Sequence, residues 1–211
     1  MLLENTNAVS YGGGGAIGGA VARAFAREGA TVFLAGRTVA PLDAVADDVR
    51  AAGGAAETAE VDALDARAVD EHADAVAAQA GSIDVSFNAI SIADVQGTPM
   101  AEMQLDDFTQ PIFTAVRTTL LTWRAAARHM RRQRSGVLLA FGGDGDPMRD
   151  HYLGGLQVAF AAIESMRRQA SAELGPHGSA PSRCARVASR SRSPSALIRS
   201  VAGRSPTCSR R

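Results

Sequence analysis

The sequence of 211 residues contains no lysine, so all 22 of its basic residues are arginine. Without a lysine ammonium group, no side chain can form a Schiff base, hold a phosphate as a lysine does or assist proton transfer as a lysine does. The two cysteines, Cys184 and Cys208, both lie near the C-terminal end. Residues 1–178 therefore contain no disulfide, no thiolate nucleophile and no cysteine metal site.

Long hydrophobic runs are also missing from the sequence. No segment approaches the roughly eighteen apolar residues of a membrane span, and residues 1–7 lack the basic start and apolar stretch of a signal peptide. With 46% hydrophobic residues, the chain can build one domain with a sizeable core. We expect a cytoplasmic protein that does not bind membranes.

Charge is unevenly distributed along the chain. Residues 179–211 contain eight arginines and no acidic residue, whereas residues 1–178 contain 14 arginines and all 22 acidic residues. A body with this net negative charge is not expected to bind nucleic acid through a general basic surface.

Short β-rich runs alternate with alanine-rich amphipathic stretches along residues 1–178, which predicts βαβ units around a parallel sheet. The predicted strands are Ala8–Tyr11, Thr31–Ala35, Ala56–Val61, Ile83–Asn88 and Val137–Phe141. The predicted helices are Ala16–Glu28, Ala40–Ala52, Ala66–Ala80, Leu105–Arg132 and Leu153–Leu174. Apolar spacings of three and four predict a single stripe on each of the last two helices, including Leu120 on the first of these and Leu156 on the second.

Composition changes abruptly after Gly178. Residues 179–211 hold nine serines, eight arginines and three prolines, with no aromatic residue. Such a segment cannot bury enough apolar area to offset its ordering entropy, which predicts a disordered basic tail. An arginine-serine tract that binds RNA or is phosphorylated is the functional alternative, and an out-of-frame end is another.

A glycine-rich loop, Gly12-Gly13-Gly14-Gly15-Ala16-Ile17-Gly18-Gly19, joins the first predicted strand to the first predicted helix. Glycines let the backbone turn sharply and approach a pyrophosphate, which the helix amides then bind. This arrangement predicts a three-layer α/β fold of the Rossmann type, with a doubly wound parallel sheet and a dinucleotide site.

This loop resembles the first turn of the short-chain dehydrogenase/reductase family, which reads Thr-Gly-x-x-x-Gly-x-Gly. Gly12 and Gly18 match that pattern, Tyr11 replaces the threonine, and Ala16 replaces the middle glycine. The resemblance continues along nearly all of residues 8–178. It implies an oxidoreductase acting on a small carbonyl or alcohol substrate, in a fold whose later strands would follow residue 178 but are missing in recognisable form.

The resemblance also implies which residues bind the cofactor. They are Gly12, Ala16, Ile17, Gly18, Arg37, Asp62 and Asn88. Arg37 follows the second strand, where an acidic residue would bind the ribose of NAD, and an arginine can pair with a 2′-phosphate. NADP(H) is therefore favoured over NAD(H), although a solvated Arg37 is the alternative. Asn88 is expected to brace the sheet, and Ile90, in place of a family glycine, is expected to crowd the cofactor.

The family's catalytic asparagine, serine, tyrosine and lysine are all replaced. Aligning the last two helices places Ala115, Gly143, Leu156 and Phe160 at these positions. Because the chain has no lysine, no change of register supplies the Tyr-x-x-x-Lys pair, and the standard proton transfer is not available. The chain is therefore a candidate pseudoenzyme, and a non-catalytic partner or scaffold subunit is the alternative function.

Other candidate acid–base groups are few. Tyr152, with Asp150 and His151, is the one candidate for a different catalytic site, and capping of the last helix is the simpler interpretation. His72 and His129 are expected to be solvated, and no spacing predicts a metal site.

The family resemblance carries two further expectations. The two long helices, which many members use for dimerisation, indicate a possible homo-oligomer. Residues 179–211 are hypothesised to be a frameshift product, because one inserted base can translate this region into a β-rich run followed by a Gly-Gly turn. The Val137–Phe141 strand would then lie at an apolar sheet edge.

Overall fold

A computed structural model describes residues 1–143 and 151–175. The predicted tail over 179–211 and Asp150 lie outside the described residues. In chain order, the elements are β1 (Asn7–Tyr11), α1 (Ala16–Arg27), β2 (Thr31–Gly36), α2 (Val39–Ala51), β3 (Ala55–Glu60), α3 (Ala66–Ala80), β4 (Val85–Asn88), α4 (Leu105–Gln133), β5 (Val137–Ala140) and α5 (Gly155–Leu174).

The five strands form one parallel sheet with the order β3-β2-β1-β4-β5. Strand β1 lies at the centre, where Tyr11 is opposite Ala35 of β2 on one side and Asn88 of β4 on the other. The strands that follow β1 are added first on one side of it, as β2 and β3, and then on the other, as β4 and β5. Ligands of such sheets bind beyond the carboxyl ends of the strands, at the point where the strand order changes side. The predicted doubly wound α/β fold is confirmed.

The sheet separates two hydrophobic cores because successive side chains of a strand point to opposite faces. Ala8 of β1 faces the core formed with α1 and α2. Val9 and Tyr11 face the other core, formed with α3, α4 and part of α5. The result is a three-layer fold. Because the strands are parallel, the β1–α1 loop and the ends of β4 and β5 lie at the same edge of the sheet.

Most elements differ from the predictions by one residue at an end, and two begin two residues later than predicted. β4 begins at Val85, two residues after the predicted Ile83, and α5 begins at Gly155 instead of Leu153. Tyr152 has φ +44° and Gly154 has φ +45°, and neither backbone angle belongs to a right-handed helix. Tyr152 therefore precedes α5 and is not one turn of that helix before Leu156.

The predicted apolar stripe of α4 is wrong at Leu120, which is 53% exposed. Three threonines, Thr118, Thr119 and Thr122, are buried instead. A threonine can be buried in a helix when its hydroxyl bonds to a carbonyl one turn earlier. The Thr118 hydroxyl donates to the Thr114 carbonyl at 2.8 Å, and the Thr122 hydroxyl donates to the Thr118 carbonyl at the same distance.

Trp123 connects α4 to the strand at one edge of the described sheet. Its side chain is 6% exposed, and its indole Nε1–H donates to the Leu139 carbonyl of β5 at 3.3 Å. This contact holds α4 against the sheet directly behind the ends of β4 and β5.

None of the helices in the described part of the chain is long and apolar enough to span a membrane.

Candidate functional site

The β1–α1 loop is folded tightly at the carboxyl end of the central strand. The Gly12 and Gly13 amides donate to the Ala35 carbonyl at 2.8 and 3.2 Å, and the Gly15 amide donates to the Gly12 carbonyl at 3.0 Å. Gly12 has φ +79°, and a Cβ there would lie 2.6 Å from the Ala89 carbonyl oxygen. Glycine is required at this position by both the backbone angle and the lack of space.

The first turn of α1 is open to an anion. No side chain caps the helix at Gly15, and the first turn contains no acidic residue. The amides that begin a helix carry partial positive charge and have no partner within it. The glycine turn and the uncapped helix start therefore fit the pyrophosphate of a dinucleotide, with Ala16, Ile17 and Gly18 supplying the amides.

A cleft of about 420 Å³ extends from this loop over the ends of β2 and β3. Arg37, which follows β2, and Asp62, which follows β3, both line it. Arg37 is exposed and has no ion pair or hydrogen bond with any described residue. The Asp62 carboxylate accepts the Leu64 amide at 2.9 Å, which fixes the turn after β3. The exposed Arg37 and the Asp62 turn therefore line the same cleft.

Asn88 is 5% exposed at the end of β4, and both ends of its side chain are engaged. Its Nδ2 donates to the Thr118 hydroxyl at 3.2 Å, and its Oδ1 accepts the Ile90 amide at 3.0 Å. The expectation that Asn88 braces the sheet is confirmed. Ile90, which is expected to crowd a cofactor, lines this first cleft.

A second cleft of about 370 Å³ continues from Gly15 and Asn88 toward α5. Three of the four replaced catalytic positions, Ala115, Leu156 and Phe160, line it. The fourth position, Gly143, lies next to Phe160, since a Cβ on Gly143 would be only 2.8 Å from the Phe160 ring. Ala115, Leu156 and Phe160 therefore lie at one cleft with Gly143 beside them, and all four positions present hydrocarbon or no side chain.

Tyr152 lies apart from both clefts. Its side chain is 47% exposed, and neither Tyr152 nor His151 is among the residues that line the two clefts. The His151 carbonyl accepts the Gly97 amide at 3.3 Å, so this segment is held against the loop after β4.

The buried Tyr11 contacts the partly buried His72 of α3, a pairing that the sequence did not indicate. The His72 Nδ1 lies 3.3 Å from the Tyr11 hydroxyl, and the two rings meet edge to face at 5.5 Å. Burial raises the pKa of Tyr11 well above its usual range, with a smaller contribution from the Asp70 carboxylate. Burial also lowers the pKa of His72 to about 4.

The expectation that His72 and His129 are solvated is therefore wrong. His129 is 8% exposed, and its Nε2 lies 2.7 Å from the Asp74 carboxylate of α3. Helix α3 packs against α4 at His129, which buries this side chain, whereas His72 is partly buried against Tyr11. Helix periodicity alone does not report that second helix.

Acidification is expected to destabilise the fold through His72. Between pH 6.5 and about 4 the unfolded histidine binds a proton while the folded one does not, so the free energy of unfolding falls as the pH falls. The loss should reach about 2–3 kcal/mol by pH 4. Denaturant unfolding of His72→Gln should lack this component, and the exposed His151→Gln should retain it. Parallel pH profiles for all three proteins would contradict the assignment.

Residues 1–143 and 151–175 contain no group of three or more histidine, cysteine or acidic residues that could hold a metal ion.

Comparison with known proteins places this geometry in context. Residues 14–180 match the family described as enoyl-(acyl carrier protein) reductase. The uncharacterized oxidoreductase YxbG of Bacillus subtilis (strain 168) is 34% identical over 119 residues, which cover 56% of this chain and 43% of YxbG. Gluconate 5-dehydrogenase of Gluconobacter oxydans (strain 621H) is 26% identical over 176 residues, 83% of this chain and 68% of that enzyme. The chain spans less than half the length of the first curated relatives it matches.

Solved structures show the same relationship. A metagenomic short-chain oxidoreductase in complex with NADP superimposes with a TM-score of 0.74 at 28% identity, covering 85% of this chain and 80% of that one. The NAD⁺-bound xylitol dehydrogenase superimposes with a TM-score of 0.76 at 24% identity, covering 84% and 68% of the two chains, which shows a common fold. Since the family match spans most of the sequence and agrees with the glycine turn and the sheet order, this chain belongs to the short-chain dehydrogenase/reductase family of oxidoreductases.

Proposed function

We propose that this protein binds NADP(H) across the two clefts and does not carry out the family's standard carbonyl reduction. The observation that carries the proposal is the contrast between the clefts. The first offers an open glycine turn, an uncapped helix and a free arginine, while the second presents hydrocarbon where the proton relay would lie.

The residues that would hold the cofactor follow the edge of the sheet. The amides of Ala16, Ile17 and Gly18 bind the pyrophosphate, with Gly12 providing the close approach. Asp62 lies at the adenine end. Asn88 contributes indirectly, because it holds the Ile90 amide and Thr118 that form the floor between the clefts.

The preference for NADP(H) over NAD(H) rests on Arg37. A guanidinium pairs with a phosphate through charge-assisted hydrogen bonds, and no described residue competes for it. One similar solved structure holds NADP and another holds NAD⁺, which supports a nicotinamide dinucleotide as the class of cofactor. The preference between NADPH and NADH is tested by the substitution below.

Replacing Arg37 with Asp is expected to weaken NADPH binding by at least about tenfold and NADH binding by less than about threefold. The reason is that only NADPH carries the 2′-phosphate, which the new carboxylate would repel. Fluorescence titration with each reduced cofactor measures both dissociation constants. Arg27→Asp makes the same charge change at the far end of α1 and should leave both unchanged. Equal losses for NADPH and NADH in Arg37→Asp would remove Arg37 from the 2′-phosphate.

The absence of the standard chemistry is proposed from the second cleft. Bound NADPH supplies a hydride, but reduction of a carbonyl also needs a proton at the substrate oxygen. Leu156, Phe160 and Ala115 donate no proton, and Gly143 offers no hydroxyl to orient the oxygen. The family and its sugar-oxidising relatives make a small carbonyl or alcohol the class of substrate to test.

A second candidate function is a non-catalytic partner subunit, including a homo-oligomer formed through the two long helices. Exposed apolar side chains on these two helices favour this function. Phe113 and Leu120 of α4 are 54% and 53% exposed, and Val158 of α5 is 41% exposed. Nucleotide binding without turnover, as expected below, would agree with this role.

A further inference from the structure

Two glycines near the nucleotide turn, Gly14 and Gly19, do not have positive φ angles, so the backbone conformation does not require glycine at either position. The structure shows another reason for Gly14. A Cβ on this residue would lie 2.9 Å from the Cβ of Pro41 and 3.1 Å from the Leu42 amide nitrogen. Both neighbours belong to the first turn of α2, so glycine lets this turn lie directly against the β1–α1 loop.

Gly19 provides the same close approach further along the two helices. A Cβ on Gly19, in α1, would lie 2.9 Å from the Cγ2 atom of Val45 in α2. Val45 is 4% exposed, so this contact is part of the core between the two helices. Gly14 and Gly19 therefore set how closely the first half of α2 approaches the loop and α1.

The segment that carries Arg37 has few buried contacts of its own. Residues 37–41 are exposed, and Leu42, at 1% exposed, is the first side chain of α2 in the core. No side-chain cap fixes the start of α2 either. Within the part of the chain that the structure describes, this helix start is therefore held by Leu42 and by the contact of Pro41 with Gly14.

The glycine loop itself is held more firmly than the start of α2. The Gly12 and Gly13 amides both donate to the Ala35 carbonyl of β2, and the Gly15 amide donates to the Gly12 carbonyl. An added methyl group at Gly14 would meet a proline ring and helix backbone, and neither can rotate away as a flexible side chain does. We therefore expect such a methyl group to displace the start of α2 and not the loop.

We propose that Gly14 is a positioning residue for the choice between NADPH and NADH. By admitting Pro41 against the loop, it holds Arg37 and the pyrophosphate turn around the first cleft, which all three residues line. The loop amides bind a group that both nucleotides carry, whereas Arg37 meets the 2′-phosphate that only NADPH carries. Gly19 supports the same placement through Val45. This inference rests on the proposed NADP(H) site and adds that packing of α2 on the loop, besides the charge of Arg37, determines the preference.

Gly14→Ala is expected to weaken NADPH binding at least about tenfold and NADH binding less than about threefold. The displaced start of α2 carries Arg37 away from the 2′-phosphate, while the loop amides stay in place. Fluorescence titration of the full chain with each reduced cofactor measures both dissociation constants. Gly175→Ala adds the same methyl group at the end of α5 and should leave both dissociation constants unchanged.

A double variant tests whether Gly14 acts through Arg37. In an Arg37→Gln background, which already lacks the guanidinium, Gly14→Ala should weaken NADPH binding by a further factor of less than about two. If the two substitutions acted independently, their losses would multiply, and the double variant would bind at least about tenfold more weakly than Arg37→Gln. A purely structural role for Gly14 predicts that second result.

A second pair of variants repeats the test at Gly19. The Val45 methyl group that Gly19 approaches is the end of a side chain, so substitution can remove it. Gly19→Ala should lower the preference for NADPH about threefold or more, and Gly19→Ala with Val45→Ala should restore the parent preference. Circular dichroism shows which variants keep the fold, and this pair decides the matter if Gly14→Ala does not fold.

The preference of each variant for NADPH decides the proposal. Loss of preference in Gly14→Ala that is redundant with Arg37→Gln supports it, as does recovery in Gly19→Ala with Val45→Ala. Equal weakening of NADPH and NADH in Gly14→Ala, unchanged binding of both, multiplied losses in the double variant, or a Gly19→Ala loss that Val45→Ala does not reverse would each overturn it.

The parent protein separates this inference from the proposed function. A parent that binds NADPH no more tightly than NADH would overturn the proposed role of Arg37 and this inference together. A parent that prefers NADPH through Arg37, with Gly14→Ala keeping that preference, would overturn this inference alone.

Discussion

NADPH mixed with this protein and a panel of ketones is expected to be oxidised no faster than with the protein alone. In general acid–base catalysis a positioned proton donor contributes about 10²–10⁴-fold to the rate, and the positions of the family's donor and its partner hold Leu156 and Phe160. These side chains line the second cleft, and neither carries a proton that it could transfer. Absorbance of the reduced nicotinamide measures the rate, and bound NADPH in the same sample shows that the protein is competent to bind.

Tyr152 provides the control for this expectation. Tyr152 is 47% exposed and does not line either cleft, so Tyr152→Phe should leave the rate of NADPH oxidation unchanged. Robust turnover that survives this substitution would show that another group donates the proton. Turnover that the substitution abolishes would instead support a catalytic site at Asp150, His151 and Tyr152.

Gly18→Ala is expected to abolish detectable NADPH binding and to lower the free energy of unfolding by about 2–3 kcal/mol. A Cβ at Gly18 would lie 2.8 Å from the Gly12 carbonyl carbon, and backbone on both sides leaves little room to yield. The loop must open to admit the methyl group, which displaces the amides that bind the pyrophosphate. Nucleotide titration and denaturant unfolding measure the two effects.

Gly175→Ala is the matched substitution for this experiment. Gly175 has a right-handed helical conformation at the end of α5, and a Cβ there would meet no atom of residues 1–143 or 151–175 within 4 Å. Alanine at this position should leave stability unchanged or raise it by up to about 1 kcal/mol, with normal NADPH binding. If Gly18→Ala behaved in the same way, the close approach to Gly12 would not be required for either stability or binding.

Most of the fold follows from local patterns in the sequence. The alternation of strands and helices, together with a glycine loop after the first strand, predicts the parallel sheet because each pattern reflects contacts within one element. The start of α5 was misplaced because Tyr152 and Gly154 adopt positive φ angles, which apolar periodicity does not report.

The site was predictable wherever a position is fixed by its offset from a motif. Offsets from motifs lead to Arg37 and to the four positions aligned with the family's catalytic residues. Arg37 lines the first cleft, and Ala115, Leu156 and Phe160 line the second. The buried threonines of α4 and the Tyr11–His72 pair were missed, because both depend on which helix packs over which strand. Sequence spacing indicates which residues share a helix face, but it does not indicate which other helix or strand packs against that face and buries them.

Trp123 gives this chain an internal optical reporter. It is the one tryptophan in the sequence, and its indole bonds to β5 on the opposite side of the sheet from α1. The fluorescence emission of Trp123 should therefore change when α4 separates from the sheet. It should not change when a rearrangement is confined to the β1–α1 loop. A variant that loses nucleotide affinity while this emission stays native has changed its loop alone, so one spectrum distinguishes local damage from global unfolding.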